Sequence, residues 1–198
     1  MNRLCGSAAQ IKFRYYGRGE APDIALRDLM QASGEPKLEA KDPAKLNRLK
    51  RIKYSVHAHN AVFVEVEVDE DLGTTNVARV VNTVAAGRIL NPKTARSQML
   101  GSMVWGIGMP LIEESMMDHR FGRYMNKSLG KYHAPVNANI HDVDVVFVHE
   151  NDNVVNPIGA RGIGEVGLIG VAAAVANAIY QATDKHVRGM LITIDKLM

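Results

Sequence analysis

The sequence predicts an α+β fold in which antiparallel strands pack against two buried, glycine-containing helices. Three stretches lead to this prediction. Valines alternate with polar or aromatic residues from 62 to 68, which is the pattern of a half-buried strand. Apolar side chains recur at helical spacing between residues 92 and 112. An alanine-rich apolar segment at 166–182 predicts a second, buried helix.

Residues 1–53 contain few candidates for a hydrophobic core, so we predict a weakly structured N-terminal helix and linker before a folded unit at 54–198. Pro22 begins a short helical pattern, and Gly34 is its expected stop. The apolar positions of this helix are Ile24, Leu26, Leu29 and Met30. Residues 35–53 are rich in lysine, glutamate and proline, which is typical of a connector.

A β-hairpin is predicted next. The alternating strand ends at a turn in residues 69–73, and residues 74–84 form a plausible antiparallel partner. The partner strand runs into Ala85, Ala86 and Gly87. These small residues would let another group approach the backbone closely.

The first buried helix has a clear start signal, with Asn91 at the cap and Pro92 at the first helical position. Its glycines predict close packing against another element. They are Gly101, Gly106 and Gly108. Its apolar positions are Met99, Met103, Val104, Ile107, Leu111 and Ile112. We interpret the methionines and Trp105 as core filling in preference to a cofactor contact.

The remaining elements are less regular. Residues 118–142 are predicted to be irregular, with a turn at 121–123, and a strand is predicted at 143–148. The second buried helix is expected to end at Asp184 and Lys185. Residues 191–194 are predicted to form a short strand or an extended tail.

The most unusual stretch is 156–170, which contains five glycines within twelve residues and a single carboxylate, Glu165. Glycine admits positive φ and lets a ligand or another backbone come close. If the second helix begins at Val166, Glu165 lies at its N-terminus, on a loop whose amides can point at an anion. The stretch therefore predicts a functional site.

Two other interpretations remain open for these glycines. Residues 162–167 match G-x-G-x-x-G, the dinucleotide fingerprint of an NAD-binding protein. That fingerprint requires a strand leading directly into the glycines, and the nearest predicted strand is separated from them by polar residues and proline. The second interpretation is a tight strand-to-helix turn whose glycines serve packing only.

Composition narrows the function classes. The net charge is +3, and the basic residues are not gathered on one recognisable face, so nucleic-acid binding is not indicated. Cys5 is the only cysteine, which excludes an internal disulfide and a cysteine-rich iron–sulfur or zinc site. No run of residues is apolar enough for a secretion signal or a membrane span. We expect a cytoplasmic chain, with export alongside a partner subunit as the alternative.

His57 and His59 form the only close histidine pair, and on a strand both would point to the same side. No third ligand of suitable spacing accompanies them, so we predict no metal ion held by protein side chains.

Three motifs together resemble a known family: RILNPKTARSQ at 88–98, GSMVWGIG at 101–108 and GARGIGE at 159–165. The chain resembles the C-terminal part of the molybdenum-binding subunit of the xanthine dehydrogenase/aldehyde oxidase family. Its nearest likeness is to bacterial aldehyde or isoquinoline oxidoreductases. The resemblance covers residues 54–198 strongly and 21–53 loosely.

The resemblance implies that 54–198 is the C-terminal portion of a larger molybdopterin-binding domain, with Glu165 as the general base. The molybdenum would be held by the pterin, in its cytosine dinucleotide form, and by no protein side chain. Residues implied to contact the pterin and its phosphates are Arg88, Ile89, Leu90, Asn91, Pro92, Lys93, Thr94 and Gln98. Residues implied to supply backbone amides are Arg161, Gly162, Ile163 and Gly164.

The resemblance also implies partners. FAD and 2Fe–2S clusters would lie on an FAD subunit and an iron–sulfur subunit, and the remainder of the large subunit would complete the site. The substrate would be an aldehyde or an aromatic N-heterocycle, oxidised with water as the oxygen source. A complete subunit of this family is several times longer, so we expect the isolated chain to be inactive. The alternative is a truncated, non-catalytic fragment that only binds a partner chain.

Overall fold

The computed structural model describes residues 12–13, 24–34, 36–37, 52–152, 154–156 and 158–198. Pro22 and most of the predicted connector lie outside these residues. The first elements are strand β1 (Lys12–Phe13), strand β2 (Ile24–Ala25) and helix α1 (Leu26–Ser33), with β1 and β2 antiparallel. Gly34 follows α1 with a φ of 66°, as expected of a helix stop. The predicted start was wrong, because Ile24 belongs to β2 and α1 begins at Leu26.

The sheet that supports the rest of the chain has three strands in the order β3 (His59–Asp69), β4 (Thr74–Ala85) and β7 (Asp142–Phe147). Strands β3 and β4 form the predicted antiparallel hairpin, and their pairing shifts register after Glu65. Strand β7 pairs with β4 in the parallel direction, which was not predicted. The α+β class is confirmed, with a mixed sheet.

Helices α2 (Pro92–Leu111) and α3 (Val171–Thr183) cover one face of this sheet. Alternate strand residues point at the helices, since Val64, Val80 and Val143 are cross-strand neighbours that belong to one apolar cluster. The fully buried members of the cluster are Val80, Val84, Met99, Met103, Ile107, Val171, Val175 and Ile179. The other face of the sheet presents Phe63 and Val146, which are exposed among the described residues.

The two helices touch where Gly106 of α2 meets Val171 of α3. A Cβ atom on Gly106 would lie 2.5 Å from the Cβ of Val171, so only glycine permits this separation. A Cβ on Gly108 would overlap Glu113 and Pro135. The close packing predicted for these two glycines is confirmed. At Gly101 a Cβ would meet nothing within 4 Å, so packing does not explain that glycine.

Helix α3 begins at Val171, five residues later than predicted, and contains no glycine. Residues 164–170 form turns, in which the Leu168 amide donates to Glu165 O at 3.0 Å. Gly170 has a φ of 90°, a conformation that cannot belong to a right-handed helix. The helix ends at Asp184, which has a φ of 57°, as predicted.

The segments between these elements complete the fold. Short strands β5 (Met117–Asp118) and β6 (Arg123–Tyr124) form a hairpin around the predicted turn, and residues 137–139 form one 3₁₀ turn. The predicted strand at 191–194 is not formed; residues 191–193 are irregular, in line with the alternative of a tail, and Ile194 begins helix α4 (Ile194–Leu197). Burial of Leu197 in the core explains the helical turn, since it points that side chain inward. None of the described helices is long and apolar enough to cross a membrane.

Trp105 was predicted to fill the core, and this was wrong. Its side chain is 51% exposed on α2, whereas Met99 and Met103 on the same helix are fully buried. The helical period explains the difference, because position 105 lies between the buried positions 103 and 107 and points away from the sheet.

Helix α2 contains a tightly packed glycine, Gly106, and one with open space around it, Gly101, and the two give a matched test of packing. Gly106→Ala should lower the free energy of unfolding by about 1–3 kcal/mol, because the new methyl group overlaps Val171. Gly101→Ala should raise it by about 0.5–1 kcal/mol, because alanine restricts the unfolded chain and has space here. Urea unfolding of both variants checks the pair. Equal changes in the two variants would contradict the helix contact.

Candidate functional site

Two loops meet beside the start of α2. We call residues 86–91 the Arg88 loop and residues 159–170 the glycine loop. The Arg88 amide donates to Gly159 O at 2.7 Å, and the Arg161 amide donates to Ala86 O at 3.0 Å. This is an antiparallel bridge between Gly87 and Ala160. The close approach predicted for the small residues at 85–87 is confirmed.

Glycine is required on both sides of this bridge. Gly87 and Gly159 have φ values of 68° and 69°, a backbone conformation that residues with a side chain rarely adopt. A Cβ on Gly87 would also overlap the carbonyl of Gly159. The bridge therefore depends on both glycines.

The first turn of α2 is closed by its cap. Asn91 Oδ1 accepts from the amides of Lys93 and Thr94 at 3.1 and 3.2 Å, and the Ala95 amide donates to Asn91 O. Pro92 has no amide hydrogen. The predicted cap is confirmed, and because Asn91 pairs the amides of this helix start, they are not available to a ligand.

Gln98 links α2 to the glycine loop. Its Nε2 donates to Gly164 O at 2.7 Å. Ser102 Oγ donates to Gln98 O at 2.9 Å and lies 3.4 Å from Gly164 O. Gly167 packs directly on the same helix, since a Cβ there would lie 2.9 Å from Ser102 Cβ. Residue 164, and with it Glu165, is therefore held against α2.

Two asparagines that the sequence motifs did not predict hold the second half of the glycine loop. Asn60 Nδ2 donates to Val166 O at 2.8 Å and Ile169 O at 2.9 Å. Asn82 is fully buried, and its Nδ2 donates to Gly167 O at 3.1 Å. A polar residue among the inward-facing valines of β4 was the available signal, because a buried amide needs partners.

A cavity of about 360 Å³ lies between the two loops and α2. It is lined by eight of the residues that the resemblance implied as cofactor contacts, together with two alanines: Arg88, Ile89, Leu90, Asn91, Thr94, Ala95, Gln98, Ala160, Arg161 and Ile163. Pro92, Lys93, Gly162, Gly164 and Glu165 are not part of the lining.

Glu165 is exposed and directly follows the residue bound by Gln98. Its predicted place at a helix N-terminus was wrong, because five residues separate it from the start of α3. Positive φ at Gly170 explains this, since it ends the turn region before the helix begins.

Some backbone amides of the glycine loop donate hydrogen bonds to described residues, and others do not. Arg161 donates to Ala86, whereas Gly162, Ile163 and Gly164 donate to no acceptor within the part of the chain that the structure describes. A Cβ on Gly162 or Gly164 would meet nothing within 4 Å, and neither residue has positive φ. Packing explains Gly167, but neither packing nor conformation explains Gly162 and Gly164. A group approaching the backbone from outside the chain would explain them.

The Arg161 side chain turns away from these amides and into a carboxylate cluster. Its Nε and Nη2 donate to Asp152 Oδ2 at 2.9 and 2.6 Å, and its Nη1 lies 3.3 Å from Glu150 Oε2. Nη1 also donates to His57 O at 3.0 Å. The Arg161 and Asp152 side chains are only 13% and 9% exposed. The pKa of Asp152 lies below its usual range, chiefly because the Val154 amide donates to the carboxylate and further because Arg161 pairs with it. Burial acts in the opposite direction.

The structure also bears on two other interpretations, a dinucleotide-binding fold and a metal site. Strand β7 ends at Phe147, and fourteen residues separate it from Gly162, so the strand–glycine–helix arrangement of a dinucleotide fold is not formed. Among the residues described, no group of three or more histidine, cysteine, aspartate or glutamate side chains could hold a metal ion.

Comparisons with known proteins agree with the motif analysis. The molybdopterin cofactor-binding domain family matches residues 7–141. The chain is 42% identical to the aldehyde oxidoreductase molybdenum-binding subunit PaoC of Escherichia coli K12, over 86% of this chain and 23% of PaoC. It is 32% identical to the putative xanthine dehydrogenase molybdenum-binding subunit XdhA of the same organism, over 91% of this chain and 24% of XdhA.

One solved structure is similar to this chain over most of its length. The aldehyde oxidoreductase from Desulfovibrio desulfuricans superposes with a TM-score of 0.62 at 26% identity, covering 71% of this chain and 15% of that one. The chain thus spans about a quarter of the length of the curated relatives it matches.

The Asp152–Arg161 pair predicts a pH dependence of stability. A carboxylate whose pKa is lowered in the folded state stabilises the fold above its unfolded pKa, and this contribution is lost as the pH falls through the folded pKa. The free energy of unfolding should therefore drop below about pH 4. Asp152→Asn should remove part of that drop. Urea unfolding at pH 6 and pH 3 measures it.

Asp142→Asn is the matched control for this measurement, because Asp142 pairs with Arg79 on the surface, where ion pairs contribute little. Its difference between pH 6 and pH 3 should stay close to that of the wild type. An Asp152→Asn variant with an unaltered pH difference would contradict the assignment.

Proposed function

We propose a function for this chain from one premise: it belongs to the molybdopterin cofactor-binding domain family. It is part of a molybdenum-binding subunit of the xanthine dehydrogenase/aldehyde oxidase type. Its role is to form one wall of the cofactor site of a molybdenum hydroxylase. That enzyme oxidises an aldehyde or an aromatic N-heterocycle with water as the oxygen source. The observation that carries the proposal is the cavity between the two loops, beside three amides that have no acceptor among the described residues.

The residues present fit a molybdopterin. Its phosphates and pterin offer hydrogen-bond acceptors, and the amides of Gly162, Ile163 and Gly164 are donors with no acceptor in the described chain. The absence of side chains at 162 and 164 leaves room for close approach. Arg88 and Thr94 add a positive charge and a hydroxyl to the cavity wall. The exposed residues Pro92 and Lys93 flank the same helix start.

Proton transfer is the role we assign to Glu165. When bound, the cofactor supplies the redox metal that takes up the electrons removed from the substrate. Glu165 removes a proton from the attacking water oxygen as the new bond to the substrate forms. The Gln98 bond to Gly164 O fixes the residue before Glu165 relative to α2. Gln98 therefore limits the positions that the carboxylate can take.

Other polypeptide segments complete this site. Because the chain spans 23% of PaoC, the remainder of the large subunit supplies the opposite wall and covers Glu165. The cofactor is the cytosine dinucleotide form, and electrons leave through the 2Fe–2S clusters and FAD of partner subunits. The assembly is cytoplasmic, unless it is exported with a partner subunit. The isolated chain is inactive.

A non-catalytic fragment that binds a partner chain is the second candidate function. Two observations favour it: Glu165 is exposed outside the cavity lining, and the sheet face with Phe63 is uncovered among the described residues. Metal analysis of the complex purified through this chain separates the candidates. Molybdenum together with aldehyde or N-heterocycle oxidation would eliminate the fragment, and a stable complex without molybdenum would establish it.

The role of Glu165 predicts a large loss of turnover. In the assembled enzyme, Glu165→Gln should lower kcat by about 10²–10⁴-fold, because the amide cannot accept the proton. Molybdenum content should stay at the wild-type level. Glu67→Gln, which alters an exposed glutamate on β3, is the control and should leave kcat unchanged. Wild-type turnover in the Glu165 variant would reject the assignment.

The unexplained glycines give a separate test of the cofactor contact. Gly162→Ala should leave the unfolding midpoint of the chain unchanged or slightly raised, since the methyl group meets nothing within 4 Å. In the assembled enzyme it should weaken cofactor binding, measured as molybdenum retention, by about five- to 150-fold, because steric overlap typically costs about 1–3 kcal/mol. Gly130→Ala, also in open space, is the control and should retain molybdenum fully. Full retention in both variants would show that no ligand approaches Gly162.

A further inference from the structure

We propose that Arg161 is a positioning residue, whose guanidinium holds the Arg88 loop and the glycine loop together and makes no contact with the cofactor. The inference rests on the proposed function, because the loops it holds carry the cavity and Glu165. The resemblance implied that Arg161 supplies a backbone amide to the cofactor. That amide donates to Ala86, and the role proposed here belongs to the Arg161 side chain instead.

The guanidinium joins three separate segments of the chain. It contacts Asp152 and Glu150 in the segment after β7, and it donates to the carbonyl of His57 just before β3. Arg161 itself belongs to the glycine loop. One side chain therefore joins that loop to the segments that adjoin both edge strands of the sheet, β3 and β7.

Glu150 extends this connection to the Arg88 loop. Its Oε2, the atom nearest to Arg161, also accepts from the amide of Gly87 at 2.9 Å. The same loop is bonded to the glycine loop through the Arg161 amide and Ala86 O. The two loops at this junction are thus connected twice, once by backbone hydrogen bonds and once through the Glu150 carboxylate and the Arg161 guanidinium. Movement at either loop must disturb the other.

The chemistry of the cluster suits arginine and not lysine. The guanidinium is planar and presents several N–H groups in a fixed fork, so it reaches two carboxylates and a carbonyl at once. A lysine ammonium is a compact charge that cannot reproduce the two bonds to Asp152 Oδ2. Because Arg161 and Asp152 are mostly buried, loss of Arg161 leaves the Asp152 charge uncompensated, and loss of Asp152 leaves Arg161 with Glu150 as its one remaining carboxylate partner among the described residues. The direction of the Asp152 pKa shift agrees with this pairing.

Amide hydrogen exchange on this chain tests the connection without cofactor. The probes are the amides of Gly87, Arg88 and Arg161, which make the bonds of the junction. Arg161→Met and Asp152→Asn should each accelerate exchange at these amides by at least about tenfold, because a buried charge loses its partner. Amides of the central strand β4 should keep their wild-type rates. Arg79→Met, which breaks an exposed ion pair, should leave the probes unchanged.

The assembled enzyme tests whether the connection positions the site. Asp152→Asn should retain molybdenum and lower kcat by roughly ten- to a hundredfold, with KM within about twofold, because misplacement of a reacting group by about 1 Å has such an effect. Arg161→Lys should recover part of the kcat lost in Arg161→Met.

Each result decides the proposal. Unaltered exchange at the three amides overturns it, and accelerated exchange with wild-type kcat overturns it too, since Arg161 would then only stabilise the fold. Accelerated exchange with lowered kcat and retained molybdenum establishes it. A wild-type assembly without molybdenum would defeat the proposed function, and the exchange data would still show whether Arg161 holds the junction.

Discussion

The contact between Gly87 and the carbonyl of Gly159 is the constraint on which the rest of the site depends. Two backbones can come this close only where neither residue has a side chain and both adopt positive φ. Once they do, the segment after β4 and the glycine loop share two backbone hydrogen bonds. The cavity then forms between these loops and α2, because α2 begins at Pro92, directly after the Arg88 loop. A larger residue at 87 or 159 would separate the loops and remove the cavity.

The glycine loop is held by its carbonyls, and this leaves its amides available. Carbonyl oxygens of the loop accept hydrogen bonds from the side chains of Asn60, Asn82 and Gln98. Each such bond contributes about 0.5–1.5 kcal/mol, and the cost of leaving a buried amide unpaired makes the Asn82 bond hard to exchange for water. These carbonyls belong to Gly164, Val166, Gly167 and Ile169, whereas the amides of Gly162, Ile163 and Gly164 donate to no acceptor among the described residues. The loop is therefore held without the use of those three amides.

Regular elements could be predicted from the sequence because their signals are local. The valine alternation, the Asn91–Pro92 start of α2 and the end of α3 at Asp184 all matched the structure. The start of α3 was misplaced because apolar residues 166–169 continue the helical pattern, and only the positive φ of Gly170 shows that the helix has not yet begun. The parallel pairing of β7 with β4 links residues about 60 positions apart, and nothing local specifies it.

At the site, the motifs identified which residues come together but not how each is used. Arg88 to Asn91, Thr94, Gln98 and Ile163 line one cavity, as a shared role requires. The cap at Asn91 could be predicted because its partners, Lys93 and Thr94, lie in the same motif. The motif could not show that the Arg161 side chain faces carboxylates, because Asp152 and Glu150 lie outside it, in a segment with no helical or strand period.

The exposure of Glu165 constrains how the proposed enzyme works. A carboxylate in contact with bulk water is a weak base at neutral pH, so proton abstraction requires a drier environment than this chain provides. Gln98 and Ser102 hold the preceding residue from the α2 side, which leaves the outer side of Glu165 open to a covering segment. Under the proposed function, that cover comes from the remainder of the large subunit. Under the same proposal, the loop is fixed from within by this chain and closed from outside by the rest of the subunit, so that Glu165 would act as a base only after assembly.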